Sequence, residues 1–302
     1  RARNIDRTAS SFVDRCLSID LEVNPKTAFI FAFAAVRRRD QKKVVFRNGD
    51  RNHALDQLED MASNAEFLLG HNILGHDLPH LAAARPSFGR LSSKPIDTLW
   101  LNPLAFPRNP YHHLVKHHHD GRLQAGHINE PELDARLVLQ VLENQIEAFK
   151  NLADRAPAVI EAYHYLSTCA LGSDGFDAFF ADLRCATRPT PLAAERAIKQ
   201  ILEGQACAAR VRDVLQRLSS PHLGWPMAYA LSWISVAGGD SVMPPWVRAQ
   251  FREAAQIVRH LRDNACDHSD CHWCRERSDP KKALSRWFGF DGFRAEPKDD
   301  AG

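Results

Sequence analysis

The stretch LSIDLEV, residues 17–23, has the apolar and β-branched composition of a buried strand, yet it carries two acids. Asp20 and Glu22 lie two positions apart, and both carboxylates point the same way because side chains alternate between the faces of a strand. Two like charges on one face of an apolar strand repel each other and lose hydration on burial. The stretch therefore predicts a strand whose acids need a compensating cation, unless they face solvent on an edge strand.

The composition of the chain limits its class only broadly. Its 302 residues are enough for a sizeable core, and the formal net charge of +2 does not identify a nucleic-acid binder. No apolar run reaches the about 18 residues of a membrane span, and the first residues lack the apolar segment of a secretory signal. Seven cysteines, an odd number, argue against a secreted disulfide scaffold. We therefore expect a cytoplasmic protein without a membrane partner.

Strand and helix patterns alternate in the first half of the chain. Apolar stretches with strand composition are AFIFAFAAV (28–36), VVF (44–46) and EFLLG (66–70), the first of which would form a hairpin with LSIDLEV. Stretches with helical spacing are HALDQLEDMASNA (53–65), HDLPHLAAA (76–84) and NEPELDARLVLQVLENQIEAF (129–149). The alternation predicts an α/β fold, with a polar loop over residues 101–128.

Two further acids lie where they could join the pair on the first strand. Asp77 follows the predicted strand FLLGHN, and Asp134 lies beside the apolar stripe of the NEPELDA helix. Four carboxylates from three segments can hold two Mg²⁺ or Mn²⁺ ions about 3.5–4 Å apart, as phosphodiester-cleaving sites do. The alternatives are that Asp77 only caps a helix and that Asp134 is one more surface charge.

The three acidic segments together resemble a known family. SIDLEV, LLGHNILGHDLPHL and NEPELDARL look like the three motifs of the DEDD, DnaQ-like 3′–5′ exonucleases, over roughly residues 12–150. The resemblance implies an RNase H-like exonuclease domain that cleaves single-stranded DNA from its 3′ end. It also implies that a Mg²⁺ or Mn²⁺ pair binds to a fixed set of acids: Asp20, Glu22, Asp77 and Asp134. Asp97, in KPIDTL, matches a position that is usually not a ligand.

The third motif departs from the family pattern. The family usually has a His five positions before the last acid, or a Tyr four before it, to place or deprotonate the attacking water. Asn129 and Glu130 stand at those positions, and Asn cannot be a base at neutral pH. His127 is a candidate substitute, and Asn129 is a candidate for placing the water or for capping the helix. A slower, metal-only reaction and a domain that binds DNA without cutting it are also consistent with this departure.

Several residues are candidates for contacting nucleic acid. His71 and Asn72 lie in the second motif, although they also suit a simple turn. The histidine-rich loop NPYHHLVKHHHDG (109–121) carries Lys116 and follows Arg108, and these cations could contact a phosphate backbone. The clustered histidines alternatively indicate metal binding.

A cysteine cluster predicts a second metal site near the end of the chain. CDHSDCHWC (266–274) has the spacing C-x4-C-x2-C, and three such close thiols favour structural Zn²⁺. Cys207 is the first candidate for the fourth ligand, with His268 and His272 as local alternatives. The same spacing occurs in plant-type iron–sulfur sites, so an Fe–S cluster is an alternative cofactor. The predicted zinc ligands are Cys207, Cys266, Cys271 and Cys274.

A second resemblance concerns LSRWFGFDGFR (284–294). It looks like the segment that precedes the ATPase core of RecQ-type DNA helicases, while no G-x-x-x-x-G-K-[ST] motif occurs in the chain. The resemblance implies that the chain belongs to a longer protein containing a helicase domain, which would be its partner. The predicted organisation has an exonuclease-like domain, a helical domain, and a Cys-rich module with a linker: residues 1–150, 151–260 and 261–302. The Trp-rich segment 222–251 would be either core or a docking face.

Overall fold

A computed structural model describes residues 11–109, 130–170, 172–238 and 242–278, without the side chains of residues 90–93. Five strands form one sheet: β1 (Cys16–Val23), β2 (Ile30–Arg37), β3 (Lys43–Phe46), β4 (Phe67–Gly70) and β5 (Pro95–Asp97). Their order is β3-β2-β1-β4-β5, with β2 and β3 antiparallel to their neighbours and β4 and β5 parallel to β1. The sheet is therefore mixed. The predicted α/β class, the hairpin and the third strand are confirmed.

Helices surround the sheet and continue beyond it. They are α1 (Arg51–Ser63), α2 (Asp77–Ala84), α3 (Thr98–Ala105), α4 (Pro131–Arg155), α5 (Pro157–Ser167), α6 (Asp174–Arg184), α7 (Pro191–Leu202), α8 (Ala208–Leu215), α9 (Gly224–Leu231), α10 (Pro245–Gln250), α11 (Arg252–Arg262) and α12 (His272–Ser278). Short 3₁₀ helices span Phe12–Arg15, Pro86–Ser93 and Pro221–Leu223, and a π-helical turn spans Ser232–Val236. Within the described ranges, no helix is both long and apolar enough to span a membrane.

The two faces of the sheet pack against different helices. Leu17, Ile19 and Leu21 of β1 join a buried cluster with side chains of α1 and α2. Cys16 of β1 belongs to a second cluster, on the face covered by α4. Since alternate residues of β1 share a face, Asp20 and Glu22 lie on the α4 face.

Helix α3 replaces the first part of the predicted polar loop. The prediction placed a loop over residues 101–128, but α3 continues to Ala105. The Asp97 side chain caps this helix by accepting hydrogen bonds from the backbone N–H groups of Leu99 and Trp100. Leu101 and Leu104 are fully buried, so apolar burial overrides the polar character of the residues that follow. Residues 110–128 lie outside the described part.

The segment after α4 packs into the same core as the sheet. One cluster of buried side chains includes Phe12 before β1 and Leu261 of α11. A cluster of aromatic side chains joins α3 to α9. The ring centroids of Trp100 and Trp225 are 5.1 Å apart, and the Tyr229 hydroxyl donates a hydrogen bond to the Trp100 carbonyl at 3.0 Å. Because Trp225 and Tyr229 are buried, this part of the Trp-rich segment is core.

Candidate functional site

The strand β1 presents its two acids above small neighbours. In the antiparallel register, Asp20 lies opposite Ala34 and Glu22 lies opposite Ala32 of β2. A methyl group occupies little of the space above the sheet, so both carboxylates keep room on the α4 face. Both acids are half-buried. This pairing is the local reason that an apolar strand accommodates them.

The first turn of α4 supplies a third acid. Carboxylate oxygens of Asp20, Glu22 and Asp134 all lie within 4.8 Å of one another. Asp134 is buried, and the partial positive charge of the helix N-terminus favours a carboxylate there. Ion pairs fasten this end of α4 to the sheet, with Lys43 Nζ 2.9 Å from Glu132 and Arg47 3.4 Å from Glu130. The three acids therefore form one cluster that can hold a metal ion.

Asp77, the fourth predicted acid, is not a member of the three-acid cluster. It is buried at the start of α2, and its Oδ1 atom accepts a hydrogen bond from the Leu21 backbone N–H at 3.0 Å. Burial raises the pKa of Asp77, and the neighbouring His76 opposes that rise. Leu21 lies between the two acids of β1, so Asp77 fixes the strand segment that carries them.

A turn after β4 places His71 and Asn72. Asn72 has a positive φ of 71°, a conformation that Asn tolerates better than most residues. The Asp97 carboxylate accepts the Asn72 N–H at 2.9 Å and the Leu74 N–H at 3.0 Å. His71 is half-buried, and its Nδ1 atom lies 2.9 Å from Thr98 Oγ1. The predicted turn is present, and it is tied to β5 and α3.

Asp97 is a structural acid in this geometry. It is fully buried, and it accepts N–H groups from both the turn and the first turn of α3. Burial raises the pKa of Asp97 to about 7, and the four hydrogen-bonded amides oppose that rise. Its oxygens are occupied by backbone donors, which agrees with the expectation that it is not a metal ligand.

His76 is a residue near the acids that the sequence analysis did not select. Its Nδ1 atom lies 3.7 Å from Asp77 Oδ1, and its side chain is 40% exposed. The hydrogen bond to Asp77 and the negative charges of Asp77 and Glu22 raise the pKa of His76. Its position directly before Asp77 in the sequence could have identified it as a residue near the acids.

The remaining predicted residues divide into two groups. His127, Asn129 and Lys116 lie outside the described residues. Arg108 is exposed and lines an open cavity of about 1000 Å³ together with Arg155, the last residue of α4. Since α4 rises 1.5 Å per residue, Arg155 is roughly 30 Å from Asp134, so the cavity lies at the opposite end of α4 from the three-acid cluster.

The four predicted cysteines lie together. Sulfur atoms of Cys207, Cys266, Cys271 and Cys274 are all within 4.8 Å of one another. The Cys207–Cys271 and Cys266–Cys274 sulfur pairs are each 3.7 Å apart. Cys207 precedes α8 and is buried, and its N–H donates to the Leu261 carbonyl of α11 at 3.2 Å. This cysteine cluster can hold a metal ion.

Within the cysteine cluster, the thiols of Cys207, Cys271 and Cys274 differ in pKa. A hydrogen bond from the Cys274 backbone lowers the pKa of the Cys271 thiol to about 7. Burial raises the pKa of Cys207, and it raises that of Cys274 to about 12. His268 and His272, the alternative ligands, are not members of the cluster. One thiol is therefore ready to lose its proton near neutral pH.

Comparisons with known proteins do not add to this description. No family model, curated protein or solved structure matches the chain. The geometry by itself defines an α/β protein with a mixed five-stranded sheet, a three-acid cluster at one end of α4 and a cysteine cluster beside α8 and α11. Both clusters offer ligand sets for metal ions.

Proposed function

We propose that the chain is a two-metal-ion 3′–5′ exonuclease that acts on single-stranded DNA. The observation that carries the proposal is the convergence of Asp20, Glu22 and Asp134 from two separate elements. The mixed sheet, with its hairpin next to parallel strands, supports the RNase H-like fold that the sequence motifs imply. The resemblance of the three motifs to the DnaQ-like exonucleases implies the polarity and the substrate.

The donor set of the three-acid cluster suits the proposed ions. Mg²⁺ and Mn²⁺ prefer carboxylate oxygens, and three acids within 4.8 Å repel one another unless a cation lies among them. Asp20, Glu22 and Asp134 would hold the ions, with Asp77 beside them. A bound pair would supply a hydroxide nucleophile at neutral pH and stabilise the leaving oxygen.

The protein's own contribution to the proposed reaction is to hold the acids in fixed positions. Asp77 holds the backbone of Leu21, so the two acids of β1 keep a fixed separation. The ion pairs at Glu130 and Glu132 hold the start of α4 against the sheet edge, which keeps Asp134 in place. Such preorganisation avoids rearrangement of the ligands when substrate binds.

A nuclease assay tests the proposal. Purified chain is incubated with 5′-labelled single-stranded DNA and Mg²⁺ or Mn²⁺, with Asp20→Asn, Asp134→Asn and the control Glu147→Gln. Glu147 is an exposed acid on the same helix as Asp134. We expect a ladder that shortens from the 3′ end with wild type and control, and none with EDTA or either cluster variant. A matched RNA substrate tests the sugar preference.

The alternative function is a catalytically inactive module that binds DNA or a partner for a helicase. Asn129, at the position where the family has His, favours it. A folded chain that binds single-stranded DNA but leaves it intact with either metal would support this alternative and reject the exonuclease. Divalent-metal affinity that Asp20→Asn leaves unchanged would also reject the proposed two-metal site.

We also propose that the cysteine cluster binds a single structural Zn²⁺. Tetrahedral zinc with Zn–S bonds of about 2.3 Å places its thiolates about 3.8 Å apart. The two sulfur pairs at 3.7 Å match that edge length. An iron–sulfur cluster contains several irons and sulfides between its thiolates and needs a wider cage. Metal analysis should find one zinc per chain, and stoichiometric iron with sulfide would reject zinc.

The helicase context and the cytoplasmic location remain proposals based on sequence. The RecQ-like segment 284–294 lies outside the described residues. A pull-down of the longer protein's helicase region by this chain, or a coupled unwinding and digestion assay on the full-length protein, would test the partnership. Digestion that is identical with and without the helicase region would count against a functional link.

A further inference from the structure

We propose that the cavity at the Arg155 end of α4 binds a mononucleotide, that is, a small phosphate ester with a flat base. The cavity has a volume of about 1000 Å³, and apolar side chains such as Leu152 and Ile201 form much of its lining. The half-buried Phe106 ring also lines it and can stack on a base. A concave, mostly apolar cavity with a few polar groups is the usual form of a small-molecule site. None of its described lining residues belongs to the three-acid or the cysteine cluster, so this site is independent of the proposed nuclease reaction.

Two arginines determine the charge of the cavity. Arg108 and Arg155 line it, and no other described lining residue is charged. Within the described part of the chain, neither guanidinium forms an ion pair. A phosphate monoester carries a charge of about −1.5 to −2 at pH 7, and its oxygens match the paired N–H groups of a guanidinium. Two arginines therefore suit a phosphate monoester better than a single carboxylate.

Backbone hydrogen bonds hold both arginines at the cavity. The Asn109 N–H donates to the Phe106 carbonyl at 3.0 Å and closes a turn that contains Arg108. The Nε atom of Arg155 donates to the Asn151 carbonyl at 3.0 Å. This bond fixes one edge of the Arg155 guanidinium and leaves its two terminal NH₂ groups for a ligand.

A π-helical turn forms another part of the lining. The Ala237 N–H donates to the Ser232 carbonyl, five residues back, at 2.9 Å, and Ser235 and Val236 of this turn line the cavity. Such turns are rare and occur frequently at functional sites. The Gln200 side chain of α7 also lines the cavity, and it makes no hydrogen bond with another described residue. Ser235 and Gln200 add polar groups that can bond to the sugar or the base.

Two other occupants fit the charges less well. Residues 110–128 follow the lining residues directly, but Lys116 and Arg122 outnumber their one acid, so this segment does not complement two arginines. A nucleic-acid strand needs a cationic groove along its length. The acid Glu147 is exposed on α4 between the cavity and Asp134, so α4 does not supply such a groove. The charges favour a small phosphate ester.

Titration calorimetry with deoxyadenosine 5′-monophosphate tests the site, at constant zinc concentration and without Mg²⁺ or Mn²⁺. Arg108→Gln and Arg155→Gln each remove one charge. Arg196→Gln is the matched control, because Arg196 is exposed on α7 and its Nε atom donates to the Leu192 carbonyl at 3.4 Å, as that of Arg155 does to Asn151. Loss of a hydrogen bond to a charged group weakens binding about tenfold or more, so we expect that loss of affinity in both cavity variants and none in the control.

A series of ligands tests the chemical class. Deoxyadenosine lacks the phosphate and inorganic phosphate lacks the base, so each should bind at least about tenfold more weakly than the nucleotide. Inorganic phosphate that binds as tightly as the nucleotide would reduce the site to a simple anion site and overturn the assignment. A short single-stranded oligonucleotide that binds more tightly and displaces the nucleotide would assign the cavity to a strand instead.

Chemical modification locates the ligand without a substitution. The nucleotide should protect Arg108 and Arg155, but not Arg196, from phenylglyoxal, as measured by mass spectrometry of digested chain. Asp134→Asn should leave the affinity unchanged, and a loss of binding in that variant would place the nucleotide at the three-acid cluster and overturn the assignment. No binding to wild type at about 1 mM nucleotide would also overturn it. These results are the same whether or not the chain cleaves DNA.

Discussion

Removal of the Asp97 carboxylate should destabilise the chain far more than removal of an ordinary helix cap. Asp97 Oδ1 accepts N–H groups from Asn72, Leu99 and Trp100, and Oδ2 accepts that of Leu74. Alanine leaves all four donors without this partner. The lost cap costs about 1 kcal/mol and each of the two buried turn amides about 1–3 kcal/mol, so we expect a total of about 3–7 kcal/mol.

Asparagine provides an intermediate case. It keeps an oxygen for the three donors at Oδ1 but turns an NH₂ group toward the Leu74 N–H. One unsatisfied donor should cost about 1–3 kcal/mol, which puts Asp97→Asn between wild type and Asp97→Ala. The exposed Asp50 caps α1 through the N–H groups of Asn52 and His53 and is the matched control. We expect about 1 kcal/mol for Asp50→Ala.

The assay is urea unfolding followed by far-ultraviolet circular dichroism at constant zinc concentration. The unfolding midpoint should be highest for wild type and lowest for Asp97→Ala, with Asp50→Ala and Asp97→Asn between them. An Asp97→Ala variant that loses no more stability than Asp50→Ala would refute the argument. It would mean that water satisfies the four amides as well as the carboxylate does.

Three further predictions concern the neighbouring elements. Burial raises the folded-state pKa of Asp77, so the stability that its protonated carboxyl contributes in EDTA is complete below the ordinary pKa of 3.8 and is lost as pH rises through the folded-state pKa. Asp77→Asn keeps an acceptor for the Leu21 N–H, so its Tm should depend less on pH than that of wild type, and it should be the more stable chain at pH 7. A metal chelator should lower Tm in wild type and in the control Cys185→Ser because the cysteine cluster can hold a metal ion, whereas Cys207→Ser should already melt lower and respond no further to chelator. Gly70→Ala should cost about 1–3 kcal/mol by calorimetry, because its Cβ would lie 2.7 Å from Ile73, and an unchanged Tm would show that the turn relaxes freely.

The sequence was sufficient for the parts of the site that follow from local periodicity. The two-residue spacing of Asp20 and Glu22 puts them on one face, and β1 has that form in the structure. The C-x4-C-x2-C spacing and the position of Cys207 predicted the cysteine cluster, and the four sulfurs lie together. Both predictions follow from the geometry of a single strand or of a metal-binding site.

The parts that the sequence did not predict depend on long-range packing. The last five residues of α3, 101–105, were assigned to a loop because the burial of Leu101 and Leu104 depends on contacts with distant elements. Asp77 resembles its predicted partners in residue type, and its hydrogen bond from the Leu21 N–H of β1 was not predicted. The spacing of residues along the chain contains no information on which donor a buried carboxylate will meet.

The arrangement of the acids also has a consequence for synthesis on the ribosome. The β1 pair is translated more than one hundred residues before Asp134, which lies on a helix that must dock across the sheet. Closing so long a loop is slow compared with forming the local hairpin. A nascent or partly unfolded chain therefore lacks a complete set of acids, and the three-acid cluster exists only in molecules that have finished folding.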